Sequence, residues 1–258
     1  MSAVRTLSQT KRNFYHYHPR PISAIYRQVV EELLVEMHLL SVNADFRYDP
    51  IYALGVVNSF ERFMAGYQPE GDKSSIFNAL CRAIEQDPQQ YRQDAERLLA
   101  VVDGLSSEAA VAWLAQRQVP AGAEDMDATL QAIAEAEHFK YSRLFGIGLY
   151  ELLDRADSEL VQDQQRCKEV LQQCCQALNL PFDKLEKDLD LYRSNLEKLE
   201  QARSVMQDAV KADRKQRERR AQQNQSPDEP GDGEQAGSSA DEQQPTVTSQ
   251  QDEGSSDA

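Results

Sequence analysis

At 258 residues, with 40% hydrophobic and 28% charged side chains, the chain can bury one substantial core and still carry long solvated helical faces. A net charge of −15 argues against nucleic acid as a main partner, because a phosphate backbone would be repelled. No apolar run approaches the roughly eighteen residues that cross a bilayer, so any membrane contact is expected to be peripheral.

The charge is unevenly placed. Residues 1–30 hold Arg5, Lys11, Arg12, Arg20 and Arg27 and no acid, whereas 222–258 hold acids and no base. Residues 1–20 read as a basic, aromatic N-terminal segment in which Lys11, Arg12 and Arg20 interleave with Phe14 and Tyr17. That mixture suits the headgroup region of an anionic leaflet, where each cation gains about 1 kcal/mol and aromatic rings sit at the boundary. The same residues allow the opposite arrangement, with Phe14 and Tyr17 packed on the first helix and the cations paired with acids of the body.

Residues 21–180 predict an all-helical globular domain, a bundle-like body of about seven helices. Ile22, Ile25, Tyr26, Val29, Val30, Leu33, Met37 and Leu40 recur at helical spacing. Asp49-Pro50 supplies a cap followed by proline at the first helical position, where its missing N–H costs nothing. Ile51, Leu54, Val57, Phe60 and Phe63 continue the stripe, and Gly66 is placed to end it in a left-handed turn. Asp72 is read as the cap of a helix bearing Ile76, Phe77 and Leu80. Asp87-Pro88 repeats the cap-then-proline signal before Tyr91, Ala95 and Leu98. A short helix follows from Ser106, and Gln118 to Glu124 is a loop by composition. One helical pattern then runs from near Asp125 to Leu152, with Gly146 and Gly148 suited to close helix–helix approach. Another spans about Ser158 to Leu178. No cluster of β-branched residues alternates with period two, so the fold class is all-α.

Residues 181–221 predict a long coiled-coil-like helix, roughly 60 Å at 1.5 Å per residue. Its stripe is Leu185, Leu189, Tyr192, Leu196, Leu199, Arg203, Met206 and Val210, spaced alternately by three and four and broken by one arginine. Beyond Val210 the sequence KADRKQRERR takes over. The expectation is that Leu185 to Leu199 docks on the body while Met206 to Arg220 forms a free docking arm. Lys211, Arg214, Lys215, Arg217, Arg219 and Arg220 are its contact candidates. Residues 222–258 are rich in Gln, Ser, Gly, Pro and acids, with too little apolar surface to offset ordering entropy, and predict a disordered acidic tail.

Three runs carry a family likeness: TKRNFYHYHPRPISAIYRQVVEELLVEMHLLSVNADFRYDPIYALGVVNSFERFMAGYQPEGDKSSIFNALC from Thr10 to Cys81, DPQQYRQDAERL from Asp87 to Leu98, and HFKYSRLFGIGLYELL from His138 to Leu153. They resemble the thylakoid formation protein family of cyanobacteria and chloroplasts, also called the photosystem II biogenesis protein of about 29 kDa. The resemblance implies a non-enzymatic factor for thylakoid biogenesis and photosystem II assembly and repair, without a cofactor. It also implies partners, the membrane-bound ATP-dependent metalloprotease complexes that turn over damaged reaction-centre subunits and photosystem II-associated proteins; peripheral contact with anionic thylakoid lipid is the expectation from the basic, aromatic segment. Because the likeness already begins near Thr10, little remains for a cleaved leader. The cytoplasmic side of a cyanobacterial thylakoid is the expected location.

Chemistry-bearing motifs are few. Glu135-x-x-His138 matches half of the carboxylate-bridged di-iron signature, which needs two such helices and two further glutamates. A helical-bundle metal enzyme built on that pair is one alternative, and a purely structural coiled-coil dimer is another. His138 is otherwise expected as a hydrogen-bonded residue at the edge of the core. Cys81, Cys167, Cys174 and Cys175 show no C-x-x-C spacing; Cys81, Cys167 and Cys174 fall near apolar helical faces and read as small apolar residues, and a strained redox pair at Cys174-Cys175 is the alternative. No nucleophile motif or phosphate loop is present, so no catalytic, cofactor or metal residues are assigned.

Overall fold

The computed structural model describes residues 4–121 and 123–223. Every regular element among them is an α-helix, eleven in all, so the chain is all-α with a long C-terminal helix. The expected disordered tail lies, apart from its first two residues, outside the described residues.

The first helix, α1 (Leu7–Tyr17), lies within what the sequence suggested was only a basic segment. Thr6 and Gln9 form a capping box, each side chain engaging the other's backbone N–H, and Thr10 and Phe14 are buried one turn apart. After α2 (Ala24–Ser41) comes α3 (Pro50–Phe63), started by Asp49, whose carboxylate accepts from the Tyr52 N–H at 2.8 Å. Gly66 follows with φ +76°, the left-handed conformation that glycine adopts without penalty. Asp72 does not cap the next helix as expected. Gly71 holds that position, and Asp72 is the first residue of α4 (Asp72–Ala83), buried and paired with Arg20 at 2.6 Å. Asp87 does cap α5 (Pro88–Asp103), accepting from the Gln89 N–H. Ser106 caps α6 (Ser107–Gln116).

The single helix expected from Asp125 to Leu152 is two: α7 (Glu124–Glu135) and α8 (Arg143–Ala156). Ala136 turns extended, and Ser142 starts a new helix by accepting from the Phe145 N–H. Between them Phe139 and Tyr141 fold onto Phe145, with ring centroids 5.0 and 6.5 Å away. The aromatic linker gains more by reaching the core than by staying helical. The helix expected at 158–178 is likewise divided at Asp163, whose extended backbone and capping carboxylate end α9 (Ser158–Gln162) and begin α10 (Gln164–Ala177). The last element is α11 (Phe182–Gln223).

At the centre α3 and α8 cross. Ile51 and Leu54 of α3 join one apolar cluster with Leu98, Trp113 and Leu152. Tyr52, Val56 and Phe60 join a second with Phe14, Met37 and Phe77. A helix apolar on both sides is necessarily interior. The chain divides at Val210, and this packing belongs to the first unit, Met1–Ala209. No single helix among the described residues is long and apolar enough to cross a membrane. The pair α5 and α6 passes by length and composition together, but it is bent by 118° and its Tyr91, Leu98 and Trp113 are core residues.

Candidate interaction surfaces

In the first unit, α11 packs through Leu185, Leu189, Tyr192 and Leu199, all buried. Phe63 meets Tyr192 edge-on at 5.5 Å. Arg203 occupies the next stripe position half-buried, its guanidinium against Gly66, where no side chain obstructs it. Beyond it the next stripe position of this unit, Met206, is 49% exposed, and Val205, on another side of the helix, is 69% exposed. Apolar surface so placed is available to another molecule.

In the second unit, residues 210–223 are helical, and Lys211, Arg214, Lys215, Arg217 and Arg219 are exposed. The side chain of Arg220 lies outside those described. Arg214 pairs with Glu218 at 2.8 Å and Arg217 with Asp213 at 2.9 Å, each one helical turn apart. Such exposed pairs contribute little and exchange readily for a better acid.

The N-terminal candidates are split by the structure. Phe14 is fully buried, because α1 turns it onto α2 and α4, so the membrane-surface role read for Phe14 is corrected: its ring is core. Lys11 pairs with Glu31 at 3.0 Å, an acid that also accepts from the Tyr15 hydroxyl at 2.9 Å, and these bonds hold the Glu31 carboxyl below its usual range. Arg20 holds buried Asp72. Arg12 and Tyr17 remain exposed. Two buried histidines complete the attachment of this segment: His38 Nδ1 lies 2.9 Å from the Thr10 hydroxyl, and His18 Nδ1 lies 2.9 Å from that of Ser75. Burial lowers both imidazoles, Arg5 adding to the effect at His38 and Arg20 at His18. The missed signal was Thr6-x-x-Gln9 with Thr10 and Phe14 at i and i+4.

Glu135 ends α7 and bonds to Gln131, whereas His138 lies in the linker with a side chain 79% exposed. The expectation of His138 at the core edge is therefore corrected, since Phe139 and Tyr141 take the inward positions. No group of three or more His, Cys, Asp or Glu suited to a metal occurs among the described residues. The four cysteines are free and buried. Burial pushes the Cys81 thiol up to about 12 and Cys175 to about 11, which leaves little thiolate for chemistry. A partly buried ion pair joins α2 to α8. Arg143, at the start of α8, donates to Glu36 of α2 at 2.6 Å, and burial raises the Glu36 carboxyl against the pull of that guanidinium.

Comparison with known proteins gives a consistent picture. The model of the thylakoid formation protein family matches residues 6–221. Protein Thf1 of Nostoc punctiforme is 59% identical over 227 residues, spanning 88% of this chain and 97% of that protein. Protein Thf1 of Gloeothece citriformis is 53% identical over 84% of this chain and 97% of its own length. The solved structure of Psb29 shares 46% identity and a TM-score of 0.71, covering 83% of this chain and 98% of that one.

Proposed function

The chain belongs to the thylakoid formation protein family, and on that premise we propose that it is a non-enzymatic, peripheral factor for photosystem II assembly and repair. In this reading it works on the cytoplasmic face of the thylakoid by binding and stabilising membrane-bound ATP-dependent metalloprotease complexes. The observation that carries the reading is the uncovered continuation of α11. In the second unit, exposed Val210 is followed by a run of exposed cations on one helical segment, a charged helical surface of the kind that helix-mediated recognition uses. Recognition by such a surface needs neither a cofactor nor a catalytic group.

The test is affinity capture from solubilised thylakoid membranes with the full chain and with a chain ending at Ala209. The reading expects the protease subunits with the full chain and their loss with the shorter one. Equal recovery by both would remove the arm from the mechanism.

A further inference from the structure

A cavity of about 350 Å³ opens between α2 and α11, with α3 and α8 behind it. Its wall is largely apolar, formed by Ile25 and Val29 of α2, Phe63 of α3, Ile147 of α8 and Leu199 of α11. Ile25, Val29 and Phe63 are only half-buried, so inward apolar surface is left uncovered by the chain itself. Hydrocarbon lining without neighbouring atoms forfeits dispersion contacts and holds water poorly. The volume lies in the range of small-molecule sites.

Ser59 and Tyr192 contribute to the same wall, but their hydroxyl oxygens are covered by protein and do not open onto the cavity. The polar groups that a ligand would meet are therefore those of the rim. At the rim, Arg143 is already held by Glu36 at 2.6 Å, and Glu32 accepts from Gln28 at 3.0 Å. Lys198 is exposed there, with no ion pair to any described residue.

We propose that this cavity binds a single-chain amphiphile, a fatty acid, with its hydrocarbon chain along Val29, Phe63 and Ile147 and its carboxylate at the rim beside Lys198. The chain supplies the missing lining contacts, and each methylene withdrawn from water adds affinity. The carboxylate keeps most of its hydration at the mouth while gaining a cation. The inference is independent of the protease-binding role, because the cavity lies wholly within Met1–Ala209.

Calorimetric titration of the full chain with dodecanoate, below its micelle concentration, tests the proposal, with dodecanol and phosphatidylglycerol vesicles as parallel arms. Saturable binding of dodecanoate is expected. Val29→Trp, which fills the cavity from a half-buried position, should weaken it by about ten-fold or more. Ala202→Phe, which blocks the same space from α11, should do likewise and guards against one variant failing to fold. Lys198→Glu should weaken dodecanoate by a similar factor while changing dodecanol by less than about two-fold. Absence of saturable binding, binding untouched by both cavity-filling variants, or binding to vesicles alone would overturn the assignment.

Discussion

A Cβ built on Gly55 would lie 3.0 Å from the amide nitrogen of Gly148, and one built on Gly148 would lie 3.0 Å from the amide nitrogen of Gly55. The two glycines therefore mark the point where α3 and α8 touch backbone to backbone. Added side-chain carbons would also run into the carbonyls of Leu144 and Ile51 respectively. Neither obstacle is a flexible side chain that can swing aside, so the helices themselves would have to separate.

Gly148→Ala is accordingly expected to destabilise the fold by about 1–3 kcal/mol or more, the range of core overpacking. This outweighs the gain of up to about 1 kcal/mol in helix propensity. Gly71→Ala, with nothing within 4 Å of the new carbon, should leave stability within about 0.5 kcal/mol of the parent. Urea denaturation of both variants checks the contrast. Equal stability would mean that the crossing is not the tight contact described.

Phe14→Ala separates the core role of that ring from a role at a lipid surface. With Phe14 fully buried, the loss should be about 3–5 kcal/mol, visible in thermal unfolding without any membrane. Arg12→Ala with Tyr17→Ala changes only exposed positions and should leave unfolding nearly unaltered. Co-sedimentation of that double variant with anionic liposomes then reports on lipid contact alone, and undiminished binding would exclude both residues from it.

Acidification should loosen α1 before the rest of the body. His18 and His38 have imidazole values lowered by burial from the ordinary 6.5, so the unfolded chain takes up protons more readily than the folded one. Their stabilising contribution is complete above the unfolded value near 6.5 and is lost as pH falls through the lower folded values. His18 adds a further penalty, because its Nε2 is buried without a partner and would become an unpaired donor. Asp49 works in the opposite sense: its carboxyl, raised to about 7 by burial, favours the folded state as pH drops. Hydrogen exchange resolved to α1 therefore discriminates better than global melting. Protection of Leu7–Tyr17 should fall between pH 7 and 5 in the parent and change less in a His18→Gln, His38→Gln variant. Uniform protection across that range in the parent would contradict the assignment.

Much of the fold was legible in the residues, and the failures have physical causes. Asp49-Pro50 and Asp87-Pro88 announce helix starts through local hydrogen bonding alone, and both start helices as expected. The stripe from Leu185 to Leu199 likewise has the spacing of a buried face and packs as one. Asp72 shows the limit of local reasoning. Its capping chemistry is overridden by Arg20, fifty-two positions earlier, a partner that only the tertiary structure brings to 2.6 Å. The break at Ala136–Ser142 was hidden because Phe139 and Tyr141 keep an apolar pattern through a non-helical linker. Phe14 was ambiguous between lipid and core because burial depends on where α1 docks. Gly148 sits beside Gly146 in a motif that signals close approach, whereas its counterpart Gly55 stands alone on another helix and carries no such local signal. The cavity beside Val29 has no linear signature, since its wall comes from four helices.

In the proposed function the exposed cationic end of α11 recognises a protein partner without chemistry. The measurement that tests it most directly is the affinity of the purified metalloprotease complex for the full chain and for a variant carrying alanine at Arg214, Lys215, Arg217 and Arg219. Alanine preserves helix propensity, so thermal unfolding should be unchanged. The predicted result is a Kd weakened by about ten-fold or more, with a shallower dependence on salt. Equal affinity and equal salt dependence in the two proteins would contradict the account.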